Sequence, residues 1–128
     1  MITMYIALAV VMTSSIVAGI EQRAIANTSC IILVNNPNPF NPARGSTNIS
    51  YSLDNSSDVA LLIYNISAEL VYRSDFIAGT NGGNAGNNTV VWDGAVLNGG
   101  IAANGVYFCR ILDKTSGRMV ARGKIAVI

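Results

Sequence analysis

Thr47-Asn48-Ile49-Ser50-Tyr51-Ser52-Leu53 decides the fold class, because Ile49, Tyr51 and Leu53 fall on one face and Asn48, Ser50 and Ser52 on the other. Successive side chains leave opposite faces of a pleated chain, so this period of two predicts a half-buried strand. Working outward, Val59–Tyr64 is nearly continuous and apolar, as expected of a central strand. Residues 69–77, 88–92 and 105–112, together with Arg118–Val127, read as further strands, and the short apolar run 31–34 precedes them all. The connecting stretches are turn material: Asp54-Asn55-Ser56-Ser57-Asp58, the Gly- and Asn-rich residues 79–87, Asn98-Gly99-Gly100, and residues 113–117. Short strands at this spacing, with no helical period after residue 30, predict a seven-stranded β-sandwich.

Composition excludes much of catalysis. The chain contains no His, which removes Ser-His-Asp, Cys-His and His-metal constellations. The carboxylates Asp54, Asp58, Asp75 and Asp93 lie mostly in turns, where Asp serves backbone geometry; a calcium site at Asp54, Asn55 and Asp58 would lack EF-hand spacing. Gly82-Gly83-Asn84-Ala85-Gly86 is followed by no Gly-Lys-Ser/Thr and is no phosphate loop. A net charge of +1 with 12% charged residues shows neither a basic run for nucleic acid nor an acidic tail. No enzyme, cofactor, metal or small-molecule substrate is expected.

Several motifs appear in order: Asn36-Pro37-Asn38-Pro39-Phe40-Asn41-Pro42, then Thr47 to Leu53, Leu62-Ile63-Tyr64-Asn65, Val91-Trp92-Asp93-Gly94, and Asn104-Gly105-Val106-Tyr107-Phe108. As a group, over residues 31–128, they resemble the immunoglobulin-like domain of the flagellar hook-capping protein and the C-terminal sorting domains of type IX secretion cargo. The resemblance implies a seven-stranded immunoglobulin-like sandwich serving as a surface, sorting or assembly module without catalysis. The residues agree with it. Pro37, Pro39 and Pro42 can link strands but cannot continue a sheet. Phe40 is expected to plug the end of the core, and Trp92 to fill its interior before Asp93-Gly94 turns the chain.

Residues 1–20 carry no charged side chain, and the chain turns polar at Glu21-Gln22-Arg23. Ala24-Ile25-Ala26 offers a small-x-small cleavage site for a secretory signal peptide, whereas the absence of Lys or Arg from Met1 to Tyr5 argues for a retained segment. A helix over residues 1–26 would be ~39 Å long, enough to cross a bilayer or to bundle with copies of itself. Ala7 and Val11 belong to its apolar surface, and Ser14/Ala18 with Ser15/Gly19 place small residues at i and i+4, which lets helix backbones approach closely. A hydrophobic helix (residues 1–29) leading into a sandwich head (residues 30–128) is similar in architecture to type IV pilins, although Tyr5 stands where those carry Glu.

The sequence therefore predicts a subunit of an extracellular, cell-surface filament. Its helices would be bundled in the core, its heads exposed, and its partners identical subunits, with passage through the membrane before assembly. The alternative is a secreted or membrane-tethered binding or sorting module. Two further expectations belong to an exported chain. Cys30 and Cys109 would pair as a disulfide, closing a loop worth on the order of 4 kcal/mol, or remain two thiols. Asn55 and Asn87, in Asn-x-Ser/Thr sequons assigned to loops, would accept glycan. Whether the terminal run Lys124-Ile125-Ala126-Val127-Ile128 pairs with a neighbouring subunit is left open by the sequence; an unpaired edge there could accept another subunit by strand addition.

Overall fold

The computed structural model describes residues 31–128, and through them the chain forms β1 (Ile31–Ile32), β2 (Val34–Asn36), β3 (Thr47–Leu53), β4 (Val59–Tyr64), β5 (Leu70–Phe76), β6 (Gly86–Trp92), β7 (Gly105–Asp113) and β8 (Arg118–Val127). No helix occurs among the described residues. The helix expected over residues 1–26, and with it Ala7, Val11, Ser14, Ser15, Ala18 and Gly19, lies outside them. The strands make two sheets, one of five in the order β1-β8-β7-β4-β5 and one of three in the order β2-β3-β6. All pairings are antiparallel except β1 with β8.

The single first strand expected at 31–34 is two strands in different sheets, so the sandwich has eight. Leu33 makes the switch. Its amide donates to the Arg122 carbonyl at 2.8 Å while its side chain turns into the core, only 3% exposed. Gly123 makes room: a Cβ there would stand 2.6 Å from Leu33 Cδ1 and 2.9 Å from the Leu33 carbonyl oxygen. Strand ends differ from expectation for equally local reasons. β5 starts one residue late because the Asn65 side-chain oxygen holds the amides of Ser67 and Glu69 in a turn. β6 starts early, at Gly86, because the ladder with β3 continues to Leu53 opposite Gly86.

The alternation that predicts β3 is realised as buried and exposed positions in turn, and β6 and β7 alternate over most of their length. Ile49, Tyr51, Leu53, Val90 and Trp92 from the smaller sheet meet Val59, Leu61, Ile63, Tyr107, Cys109, Ile111, Ala121 and Ile125 from the larger. Trp92 is the hub, fully buried, with Phe40 at 5.6 Å, Tyr107 at 5.7 Å and Tyr72 at 6.0 Å between ring centroids. The Phe40 and Tyr107 contacts are edge-on and the Tyr72 contact is tilted, and such ring contacts add to the large area each ring buries. The indole N–H donates to the Ala95 carbonyl at 2.9 Å, so this polar handle is satisfied. Gly94 takes φ +90° in the turn that follows, and a Cβ there would stand 2.8 Å from Pro42.

Tyr107 lies two residues before Cys109, and its hydroxyl donates back to the Ala103 carbonyl at 2.8 Å. A tyrosine hydroxyl bonded back to the backbone just upstream, two residues before a Cys, is the arrangement called a tyrosine corner where it occurs in immunoglobulin-like sandwiches. Asn88 is 2% exposed and fastens the long loop between β5 and β6. Its oxygen accepts from the amides of Gly82 and Asn84, and its amide nitrogen donates to the carbonyls of Asn84 and Gly86. The Tyr51 hydroxyl donates to the Gly82 carbonyl at 2.7 Å, pinning the same loop to the core. Among the described residues, every buried side-chain nitrogen and oxygen has a hydrogen-bond partner.

The edge at Lys124 to Ile128, left open by the sequence, is covered within the chain. β7 lines one side of β8; on the other, the Asn38 side chain donates to the Lys124 carbonyl and accepts from the Ala126 amide. Phe40 continues this false strand, its amide donating to Ala126 and its carbonyl accepting from Ile128. The Pro-rich segment thus spares one edge from pairing with another chain.

Candidate functional site

Cys109, Tyr51 and Asp58 are locked inside or tied up. Cys109 is a buried free thiol, and burial pushes it up from 9.0 to about 12, so it carries no thiolate near neutral pH. Its expected disulfide partner, Cys30, lies outside the described residues. Burial raises the Tyr51 phenol well above its ordinary value, with Cys109 adding to the effect. Asp58 is engaged, its carboxylate accepting from the Ala78 amide at 2.8 Å. Among the described residues no three Cys, Asp or Glu side chains gather into a metal site.

What remains is the outer face of the five-stranded sheet. In β7, inward Tyr107, Cys109 and Ile111 leave Phe108 and Arg110 pointing out; in β8, inward Ala121 and Ile125 leave Arg122 and Lys124 out. Register then aligns them. Ile32, Arg122, Arg110, Leu62 and Arg73 stand in one row across all five strands, and Lys124, Phe108 and Tyr64 in the next. The Arg110 guanidinium lies 5.7 Å above the Tyr64 ring, a cation–π contact. Bases scattered over fifty residues of sequence are gathered on one face, although the composition alone shows no basic patch.

Asp75 is the acid on this face, and it is occupied. Arg73 Nε donates to it at 2.9 Å and Lys114 Nζ at 3.0 Å. Those two hydrogen bonds, Arg73's the stronger, hold its carboxyl below the usual range. Arg122 and Lys124 have no carboxylate partner among the described residues. A groove of about 560 Å³ runs beside them, lined by Ile32, Leu33, Phe108, Arg110, Arg122 and Lys124.

The sequons are placed differently from one another. Asn55 is exposed in the β3–β4 turn, as expected. Asn87 is exposed too, but on β6 opposite Ser52 rather than in a loop. Sequence reasoning passed over Asn38, Asn88 and the corner hydroxyl of Tyr107, all ordinary in an Asn-rich chain. The cationic face had only a partial signal: a hairpin of residues 105–112 with Arg118–Val127 brings their bases near one another, but it is the register shift between Ile111 and Leu112 that sets Arg110 opposite Arg122.

With this geometry in hand, comparison places the fold. No protein-family model matches the chain, and no curated protein matches it. Among solved structures it is similar to PorZ, an essential bacterial surface component of the type IX secretion system of Porphyromonas gingivalis, with TM-score 0.51 and 21% identity over 75% of this chain. It is likewise similar to FlgD from P. aeruginosa, with TM-score 0.52 and 21% identity over 65% of this chain. The match spans 11% of the PorZ chain and 62% of the FlgD chain. At this identity the likeness is one of fold, and it fits the resemblance drawn from the motifs.

Proposed function

We propose that this chain is a non-catalytic, surface-associated binding module, working through the face of an immunoglobulin-like sandwich. The observation that carries this reading is how the sandwich guards itself while leaving one face unneutralised. β8 is covered on both edges, β1 and β2 are two and three residues long, and the Val71 carbonyl of β5 is taken by the Leu97 amide. On β6 the Asn81 side chain takes the Thr89 carbonyl. Short, plugged edges are how sheets avoid pairing with one another. The likeness to parts of a secretion-system surface component and of FlgD supports a surface location.

The filament reading rests on Ala7, Val11, Ser14, Ser15, Ala18 and Gly19, outside the described residues. N-terminal sequencing of the native protein with negative-stain microscopy separates the two. The module reading expects discrete particles, with residues 1–26 either removed or holding the protein in the membrane fraction; regular polymers would overturn it. An exported module also leaves Asn55 and Asn87 open to glycan, which intact-mass measurement reads as added hexose mass.

A further inference from the structure

The outer face of the five-stranded sheet carries a charge arrangement that its own stability does not call for. Arg110 stands directly opposite Arg122, at a separation of about 5 Å between Cβ atoms, and Lys124 follows about 7 Å along β8. Like charges directly opposite one another destabilise a ladder. Asp75 does not relieve them: it stands on β5, across β4 from Arg110, and is engaged by Arg73 and Lys114. Beside the three cations, Ile32 is 69% exposed and Phe108 half-buried along the same groove.

We propose that this groove binds an acidic polypeptide segment of a partner protein, with carboxylates on Arg110, Arg122 and Lys124 and an apolar side chain against Ile32 and Phe108. The proposal deepens the reading of the chain as a binding module and rests on it. Guanidinium forks pair with carboxylates through two parallel hydrogen bonds, and clustered Arg is a recurring means of recognising acidic motifs. Three neighbouring cations match two or three carboxylates, whereas nucleic acid binding draws on a longer track of phosphate contacts. An acidic polysaccharide meets the charges but brings no aliphatic side chain to cover Ile32. A peptide brings both. Because the groove lies on a sheet face, its specificity comes from side chains rather than from strand addition.

The test is a fluorescence-anisotropy titration of the full-length chain with a labelled peptide of about ten residues alternating Glu and Leu. Expected is saturable binding that weakens with added salt, by about tenfold in Arg122→Gln, and further in Arg110→Gln/Arg122→Gln. A Glu-Ser peptide should bind several-fold more weakly, and Ile32→Ser should erase that difference. Arg44→Gln, away from the groove, should change nothing. These side chains are exposed, and a cooperative urea unfolding transition at a midpoint no lower than that of the unsubstituted chain confirms that each variant is folded. Absence of saturable binding, indifference to Arg122→Gln, or equal competition by alginate or duplex DNA would overturn the proposal. Those outcomes leave the module reading standing, whereas polymers under the microscope would overturn that reading without touching this titration.

Discussion

At the scale of residues, the buried polar groups set both stability and its pH dependence. Asn88 makes four hydrogen bonds from a site 2% exposed, so Asn88→Ala leaves the amides of Gly82 and Asn84 without their acceptor. The expected cost is about 2–3 kcal/mol, read from urea unfolding midpoints, with loosening of residues 79–86 seen first by hydrogen exchange. Cys109 sets an alkaline limit. In the unfolded chain its thiol ionises near 9.0, while in the folded protein burial delays ionisation to about 12. Across that window the folded state binds more protons, so stability is intact below about pH 9 and falls as pH rises, by at most about 1.4 kcal/mol per pH unit for this group. Tyr51, raised in the same sense, adds to the loss. Unfolding midpoints at about pH 8 and about pH 10.5 should show the decline, and Cys109→Ala should make it shallower.

Strands such as β3 and β4 are legible in sequence because one buried face imposes a period of two and two buried faces impose a continuous apolar run. The division of 31–34 into β1 and β2 is not legible there. Ile31, Ile32, Leu33 and Val34 are all apolar, and what picks out Leu33 is the missing side chain of Gly123, ninety residues away. Gly123→Ala is therefore expected to cost about 1–3 kcal/mol by pushing on Leu33, and less in a Leu33→Ala background, where the side-chain part of the clash is gone and only the contact with the Leu33 carbonyl oxygen remains. A double-mutant cycle by chemical denaturation measures that coupling; simple additivity would show that the two do not meet. The false strand at Asn38 escapes sequence reading for a similar reason, since its partner is the opposite end of the chain. Asn38→Ala should speed amide exchange at Ala126, with a stability loss of about 1 kcal/mol.

For the whole molecule, composition misleads where topology decides. A near-neutral sum hides that the hairpin of β7 and β8, flanked by β1 and β4, aligns Arg110, Arg122 and Lys124, while acids such as Asp54, Asp58 and Asp93 fall in turns. The absence of His removes His-dependent catalysis and His-metal binding, and among the described residues the Cys109 thiol is sealed in the core. On the proposed reading, a molecule with its sheet edges guarded in this way meets partners through a face. The most direct test of that view is sedimentation velocity on the native protein over a wide concentration range, in detergent where the N-terminal segment is retained. A single small species, unchanged with concentration, is the expected result; growth into larger polymers as concentration rises would contradict it.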